Sequence, residues 1–274
     1  MLHSLAALDC GVGACLRSLR EQSAVTLKDA AVSVDASTAT IRRWEAGEVI
    51  PKRPALRTLL DLYGVSAARS AVVEEVALTS RQARLPAVRS GCERGETVLA
   101  CLEAQADAVY DYQSFLLPAL VRTTAYMRAI YTGRGAPEPV EQALALHERR
   151  IGAAASGRCS LSIVVEESVL RRPIGATDVM RQQLDHLLEV ANRSWAIVQV
   201  VPADAALLAG EAFTLVRLQD ERGIVHCETA HGFRLLDDAH VATYTQAFAR
   251  LQAGAQSPEA SVALIASAHA ACGE

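Results

Sequence analysis

Three groups of residues in this 274-residue chain could do chemistry. The first lies in "SVDASTATIRRWEAGEVIPKR", residues 33–53. Ser37, Thr38, Ala39 and Thr40 place small and hydroxyl-bearing side chains at the start of a short predicted helix. Arg42 and Arg43 follow about one turn later, and Lys52 and Arg53 come just after the helix. Small residues let a helix backbone approach base edges, and guanidinium groups reach guanine or phosphate. A helix N-terminus adds free N–H groups and a positive dipole. Together these residue types point to double-stranded DNA as the partner.

The second group is "HCETAH", residues 226–231. On a strand, His226 and Glu228 share a face, and His231 follows in the next turn. Two imidazoles and a carboxylate are donors of the kind that bind Zn²⁺. No fourth ligand stands at a familiar spacing, so these three are metal candidates beside the plainer reading of ordinary strand residues, and no metal is assigned. Cys227 next to His226 does not make a nucleophile–base pair, because strand neighbours point to opposite faces. The third group is "EESVLRRP", residues 166–173. Glu166, Glu167, Arg171 and Arg172 form either an anion anchor or an ion-paired segment tying a strand to the following helix. The "GVG" at 11–13 lacks a third glycine and a preceding strand, so it is no dinucleotide site. No P-loop, GxSxG or HExxH occurs, and His147 and His186 sit inside helical segments. The expectation is a protein with no catalytic residue and no cofactor.

Composition narrows the classes further. Apolar residues are 51% of the chain and aromatics 4%, so the core must be built from Ala, Leu and Val. No apolar run approaches the roughly 18 residues of a membrane span. The N-terminus lacks a basic stretch before its apolar residues, which argues against a signal peptide. The seven cysteines are scattered without CxxC spacing and read as reduced thiols. The expected location is cytoplasmic. Net charge is −4, yet residues 1–57 hold eight Lys/Arg against six Asp/Glu. That asymmetry suits a DNA-binding head on an acidic body.

The elements that must position these groups follow from capping and periodicity. Cys15, Leu16 and Leu19 form one helical stripe, Thr26 caps a second helix with Asp29 as the capping-box acid, and Ser37 caps a third that Gly47 ends. Asp35 stands in the turn between the second and third, where a left-handed backbone is needed. Pro51 and Pro54 open a fourth helix, closed by Gly64, and helix continues over 66–80. Two helices joined by such a turn form a helix-turn-helix pattern. Ile41 and Trp44 face its core. Residues 96–155 read as helical. After 157 the period shifts, with strands expected at 159–167, 195–202, 212–219 and 223–230, the last two joined by a hairpin through "DER". An amphipathic helix over 175–193 and two closing helices, near 236–254 and 257–271, complete the chain. The fold class is mainly α with a smaller mixed α/β C-terminal part: a helix-turn-helix bundle, a helical segment and a roughly four-stranded sheet packed by helices. The domains are a head at 1–78, a linker at 79–95 and a C-terminal domain at 96–274. The strands at 159–167 and 195–202 suggest a half-exposed sheet whose face or edge could take a partner.

"TLKDAAVSVDASTATIRRWEAG" resembles the Xre-type (Cro/repressor-like) pattern T-Q-x-x-L-A-x-x-x-G-V-S-x-x-x-I-S-x-x-E-x-G, through Thr26, Ala31, Ser37, Ile41, Glu45 and Gly47. It departs at Leu27, Ala30, Asp35 and Arg42. The Gln that Leu27 replaces helps grip phosphate in that family, so its loss bears on how well the head binds DNA. Residues 105–270 resemble the C-terminal domain of actinobacterial Xre-type regulators. The order there is "E-x-x-L-R-R-P-x-G", a helix, "V-x-V-x-P", "F-x-L", "E-T" and a closing helix before "S-P-E-E-S". The aromatic-rich segment usual between the two parts is here the aromatic-poor "RSGCERGETVLACLE". The resemblance implies an antitoxin-like or developmental regulator, often encoded beside a small partner protein. The leading expectation is a homodimeric, sequence-specific regulator that responds to a partner protein or a small-molecule effector. Two alternatives stand beside it: a ligand-binding or catalytic α/β domain with a weakened head, and an antitoxin-like interaction scaffold.

Overall fold

The computed structural model describes residues 5, 7–8, 11–82, 98–133, 140–155, 158–205, 210–218, 223–229, 232–236 and 238–272. The chain divides into two compact units, Met1–Ala106 with Leu215–Ala242 and Asp107–Thr214 with Thr243–Glu274. Its described strands belong to a six-stranded sheet. No helix among the described residues is long and apolar enough to cross a membrane.

The first unit opens with α1 (Val12–Gln22), α2 (Leu27–Ser33), α3 (Thr38–Glu45), α4 (Arg53–Leu62) and α5 (Ala67–Gln82). Cys15, Leu16 and Leu19 are buried as their spacing requires, and burial pushes the Cys15 thiol up to about 12. Thr26 caps α2, its Oγ1 accepting from the Asp29 N–H at 3.1 Å. Asp29 reaches back with its side chain, which accepts from the Thr26 hydroxyl at 2.6 Å. The small Ala30 and Ala31 are buried where α2 meets α3 and α4. Leu56, Leu59, Leu60 and Tyr63 of α4 and its exit fill the middle of the bundle. Of the linker expected at 79–95, residues 79–82 end α5 and 83–95 lie outside the described residues. Residues 98–103 are helical, α6. β4 (Phe213–Leu218), β5 (Ile224–Thr229) and β6 (Gly232–Leu236) follow, with β5 antiparallel to β6. The "DER" hairpin connection lies outside the described residues.

The second unit carries β1 (Ala106–Gln113), α7 (Thr124–Gly133), α8 (Val140–Ala155), β2 (Ser160–Glu166), α9 (Glu167–Arg171), α10 (Thr177–Ala191), β3 (Ala196–Val201), α11 (Asp238–Gly254) and α12 (Pro258–Ala271). β1, β2 and β3 run parallel, with Ala108 opposite Ser160 and Leu161 opposite Ala196. The mixed α/β architecture follows the expectation, with two strands more than the four read from sequence. β1 falls in a stretch read as helix. Ala108, Val109, Asp111 and Tyr112 are all buried, so the strand is covered on both faces and shows no alternation. β2 departs from the half-exposed strand expected there, since Ile163, Val164 and Val165 are buried in succession, whereas β3 keeps the alternation: Ala196, Val198 and Val200 are buried and Ile197 is 46% exposed. Met180, Leu184, Leu187 and Val190 of α10 and the inner face of α12 cover β3.

Candidate nucleic-acid interface

The candidate interface is built on α3, and local chemistry fixes both ends of that helix. The Ser37 Oγ accepts from the Thr40 N–H at 3.1 Å and lies 2.9 Å from the Thr40 hydroxyl. Asp35 sits at φ 49° in the preceding turn, which its short polar side chain tolerates, and Gly47 at φ 74° ends the helix. Helical spacing then sorts the side chains. Ile41 points into the bundle at 1% exposure and Trp44 is half-buried, whereas Ser37, Thr38, Ala39, Arg42 and Arg43 are exposed. The predicted residues of α3 therefore share one solvent-facing surface, with the Ser37 and Thr40 hydroxyls committed to the cap.

The cations around that surface differ in freedom. Arg43 Nε lies 3.1 Å from Glu48, in an exposed pair. Lys52 is exposed at the start of α4. The Arg53 Nε donates to Glu74 at 2.7 Å, so this guanidinium is held towards α5.

Beneath α3 lies a pair that sequence reasoning missed. The Arg20 Nε donates to Glu45 Oε1 at 2.6 Å, and a terminal nitrogen donates to Glu45 Oε2 at 3.1 Å. A third donor reaches the Val25 carbonyl at 3.1 Å. The two side chains are 12% and 8% exposed. The hydrogen bonds it donates to Glu45 hold the Arg20 pKa above its ordinary value, and burial raises the nearby Tyr63 phenol. This two-point contact locks the last turn of α3 onto α1 and so sets the angle at which the exposed face is presented. Glu45 stands at a position of the repressor-like pattern, but nothing local in the sequence marks Arg20 as its partner.

The other candidates are placed as follows. His226 is buried on β5, its ring stacked on Phe233 at 5.4 Å and 20°. Glu228, two residues on, is exposed, and His231 lies outside the described residues. Among the described residues no three His, Cys, Asp or Glu side chains gather where they could hold a metal ion. In "EESVLRRP" the charges are used between elements. Glu166 accepts from the Tyr112 hydroxyl at 2.7 Å. Glu167 accepts from the Ala203 N–H at 3.1 Å and pairs with Arg171 at 3.1 Å, contacts that hold its carboxyl below the usual range. Arg172 lies over the exposed Phe115 ring at 4.6 Å. Of the two glutamates, Glu167 is ion-paired, to Arg171 within α9, while Glu166 bonds a neutral phenol on β1. His147 is buried and His186 lies 3.7 Å from Glu189.

A family model described as a helix-turn-helix domain matches residues 12–72, which span α1 to α4 and the start of α5. A second, described as a domain of unknown function (DUF5753), matches residues 97–267, more than half of the chain. No curated protein and no solved structure matches.

Proposed function

This chain belongs to the family defined by the DUF5753 domain and carries a helix-turn-helix domain before it, and from that premise we propose that it is a sequence-specific DNA-binding transcriptional regulator of the Xre type. The reading is carried by α3: capped at both ends, locked to α1 through Arg20–Glu45, and exposing Thr38, Ala39, Arg42 and Arg43. A rigid helix with small residues at its N-terminal end fits the major groove, and its arginines supply base and phosphate contacts. The head, at 1–78, is paired with a C-terminal domain, at 96–274, that receives a signal from a small partner protein or an effector. The protein acts in the cytoplasm as a homodimer without enzymatic turnover, antitoxin-like in organisation.

The test is selection of duplexes from a random pool by the full-length protein. The enriched sequences should be two-fold related, with half-sites spaced by about one helical turn of DNA. Thr38→Ala should then relax preference at one base pair, at roughly 1–3 kcal/mol for a lost base contact. A pool that shows no enrichment, or a Thr38→Ala profile identical to wild type, would sink this assignment of α3.

A further inference from the structure

Arg17, Arg20, Leu27, Arg42, Glu45 and Ala46 line an open groove where α1, the first residue of α2 and the outer side of α3 meet. Its lining carries three guanidinium groups and one carboxylate, with the Glu21 carboxylate 3.0 Å from Arg17 and 3.5 Å from Arg20. Both oxygens of Glu45, the only acid in the lining, are engaged by Arg20. Leu27 and Ala46 bring no polar side-chain atom. The remaining polar capacity is two guanidinium groups, one carried by α1 and one by α3. Arg17 is paired with Glu21 at 3.0 Å, but their side chains are 66% and 53% exposed. Such a pair is weak and readily exchanged for another anion. Arg42 is exposed, one turn after Thr38 on the same helix row. The groove therefore lies beside the reading face of α3 and offers donors to a single anion that approaches from the same side as the bases.

We propose that this groove seats one backbone phosphate of bound DNA, with Arg17 and Arg42 as the two prongs of a clamp and Leu27 as its apolar wall. The proposal rests on the reading of α3 as a DNA-binding helix. It makes Arg42 a register-setting phosphate contact and leaves base readout to Thr38, Ala39 and Arg43. It also brings α1 into the interface through Arg17.

Full-length wild type, Arg17→Ala, Arg42→Ala and the double variant would be titrated with an enriched duplex and with a scrambled duplex, by fluorescence anisotropy across a salt series. Each single variant should lose affinity for both duplexes by the same factor. The double variant should lose less than the sum of the two, because both groups hold one phosphate. Its plot of log K against log salt should flatten by about 0.9, the value for one released phosphate contact on duplex DNA. Arg17→Lys and Arg42→Lys should keep most of that slope. A change in base preference at Arg42→Ala with an unchanged slope would overturn the clamp, as would wild-type affinity in the double variant. Saturable competition by inorganic phosphate at constant ionic strength, lost in Arg17→Ala, would assign the groove to a free anion instead. If wild type binds neither duplex, the DNA-binding reading itself fails. If wild type binds and the variants match it, only the clamp does.

Discussion

Gly13, in the first turn of α1, lies directly against the Trp44 carbonyl at the end of α3: a Cβ on Gly13 would stand 2.5 Å from that oxygen and 2.7 Å from the Gly47 nitrogen. The two glycines of "GVG" at 11–13 differ in role, since nothing lies within 4 Å of a Cβ on Gly11. Gly13 lets two helices approach to backbone contact, next to the turn that Arg20 and Glu45 lock.

Gly13→Ala should therefore destabilise the head, although alanine ordinarily favours a helix interior. The clash is with backbone atoms, which cannot rotate aside, and overpacking of this kind costs about 1–3 kcal/mol. Gly152 of α8 provides the opposite case, since nothing lies within 4 Å of a Cβ there. Gly152→Ala should stabilise by about 0.5–1 kcal/mol, the helix-propensity gain alone. Urea unfolding of both variants checks the pair, and equal shifts of the same sign would contradict the close approach at Gly13.

How much of this was legible in the sequence depends on how local each signal is. The Thr26 and Ser37 caps, the Asp35 turn and the Gly47 and Gly64 stops are decided within a few residues, and the head follows from them. β1 was hidden because a parallel strand covered on both faces has no period-2 pattern, and "ADAVYDYQ" then passes for helix. Arg20–Glu45 spans 25 positions, so the partner of Glu45 becomes visible only once α1 and α3 are packed. His226 looked like a ligand by residue type, while its ring is taken up by Phe233.

The Arg43–Glu48 contact sets a further expectation. Glu48 places a carboxylate 3.1 Å from a guanidinium of the reading face, and both side chains are more than half exposed. Such a pair contributes little to folding. Its charge nevertheless opposes DNA phosphates at close range. Glu48→Ala should raise affinity for every duplex a few-fold, most strongly at low salt, with no change in the thermal midpoint. Affinity equal to wild type at low salt would show that Glu48 stays far from the phosphates.

His147 should make stability depend on pH. It is 2% exposed on α8, 2.9 Å from the Arg122 carbonyl through Nε2. Burial, with Arg150 and Arg122 adding like charge, lowers its pKa from 6.5 to about 4, against the opposing pull of the carbonyl. The imidazole is thus neutral when folded, while the unfolded chain takes up a proton below about pH 6.5. The unfolded state binds more protons in that window, so stability falls as pH drops from about 6.5 to about 4. The loss from this group is up to about 3 kcal/mol, and above pH 6.5 it contributes no slope. Urea midpoints of wild type and His147→Leu, compared at pH 7.5 and 4.5, check this. A difference between the two proteins that is the same at both pH values would rule it out.

The last prediction concerns β3, whose outer edge was expected to be available to a partner. The Val200 N–H donates to Ser261 Oγ at 2.9 Å, and the Val200 carbonyl accepts from the Gln256 N–H at 2.9 Å. Gln199 reaches the Gln252 and Gln256 carbonyls from the same strand, at 3.4 and 3.0 Å. The chain's own turn into α12 thus occupies part of the strand edge, which protects it from pairing with another chain. The "SPEAS" run that opens α12 has two separate duties. Ser257 caps the helix by accepting from the Ala260 N–H, and Ser261, fully buried, satisfies the β3 backbone. Ser261→Ala would leave the buried Val200 N–H without an acceptor and should cost about 1–3 kcal/mol. Ser257→Ala removes an exposed cap and should cost about 1 kcal/mol. Hydrogen exchange separates the two. In Ser261→Ala the Val200 amide should lose more protection than the other sheet amides, which fall only by the global loss of stability, and in Ser257→Ala it should lose no more than they do. A Val200 amide that stays as protected in Ser261→Ala as in wild type would mean that the serine is not the group that closes this edge.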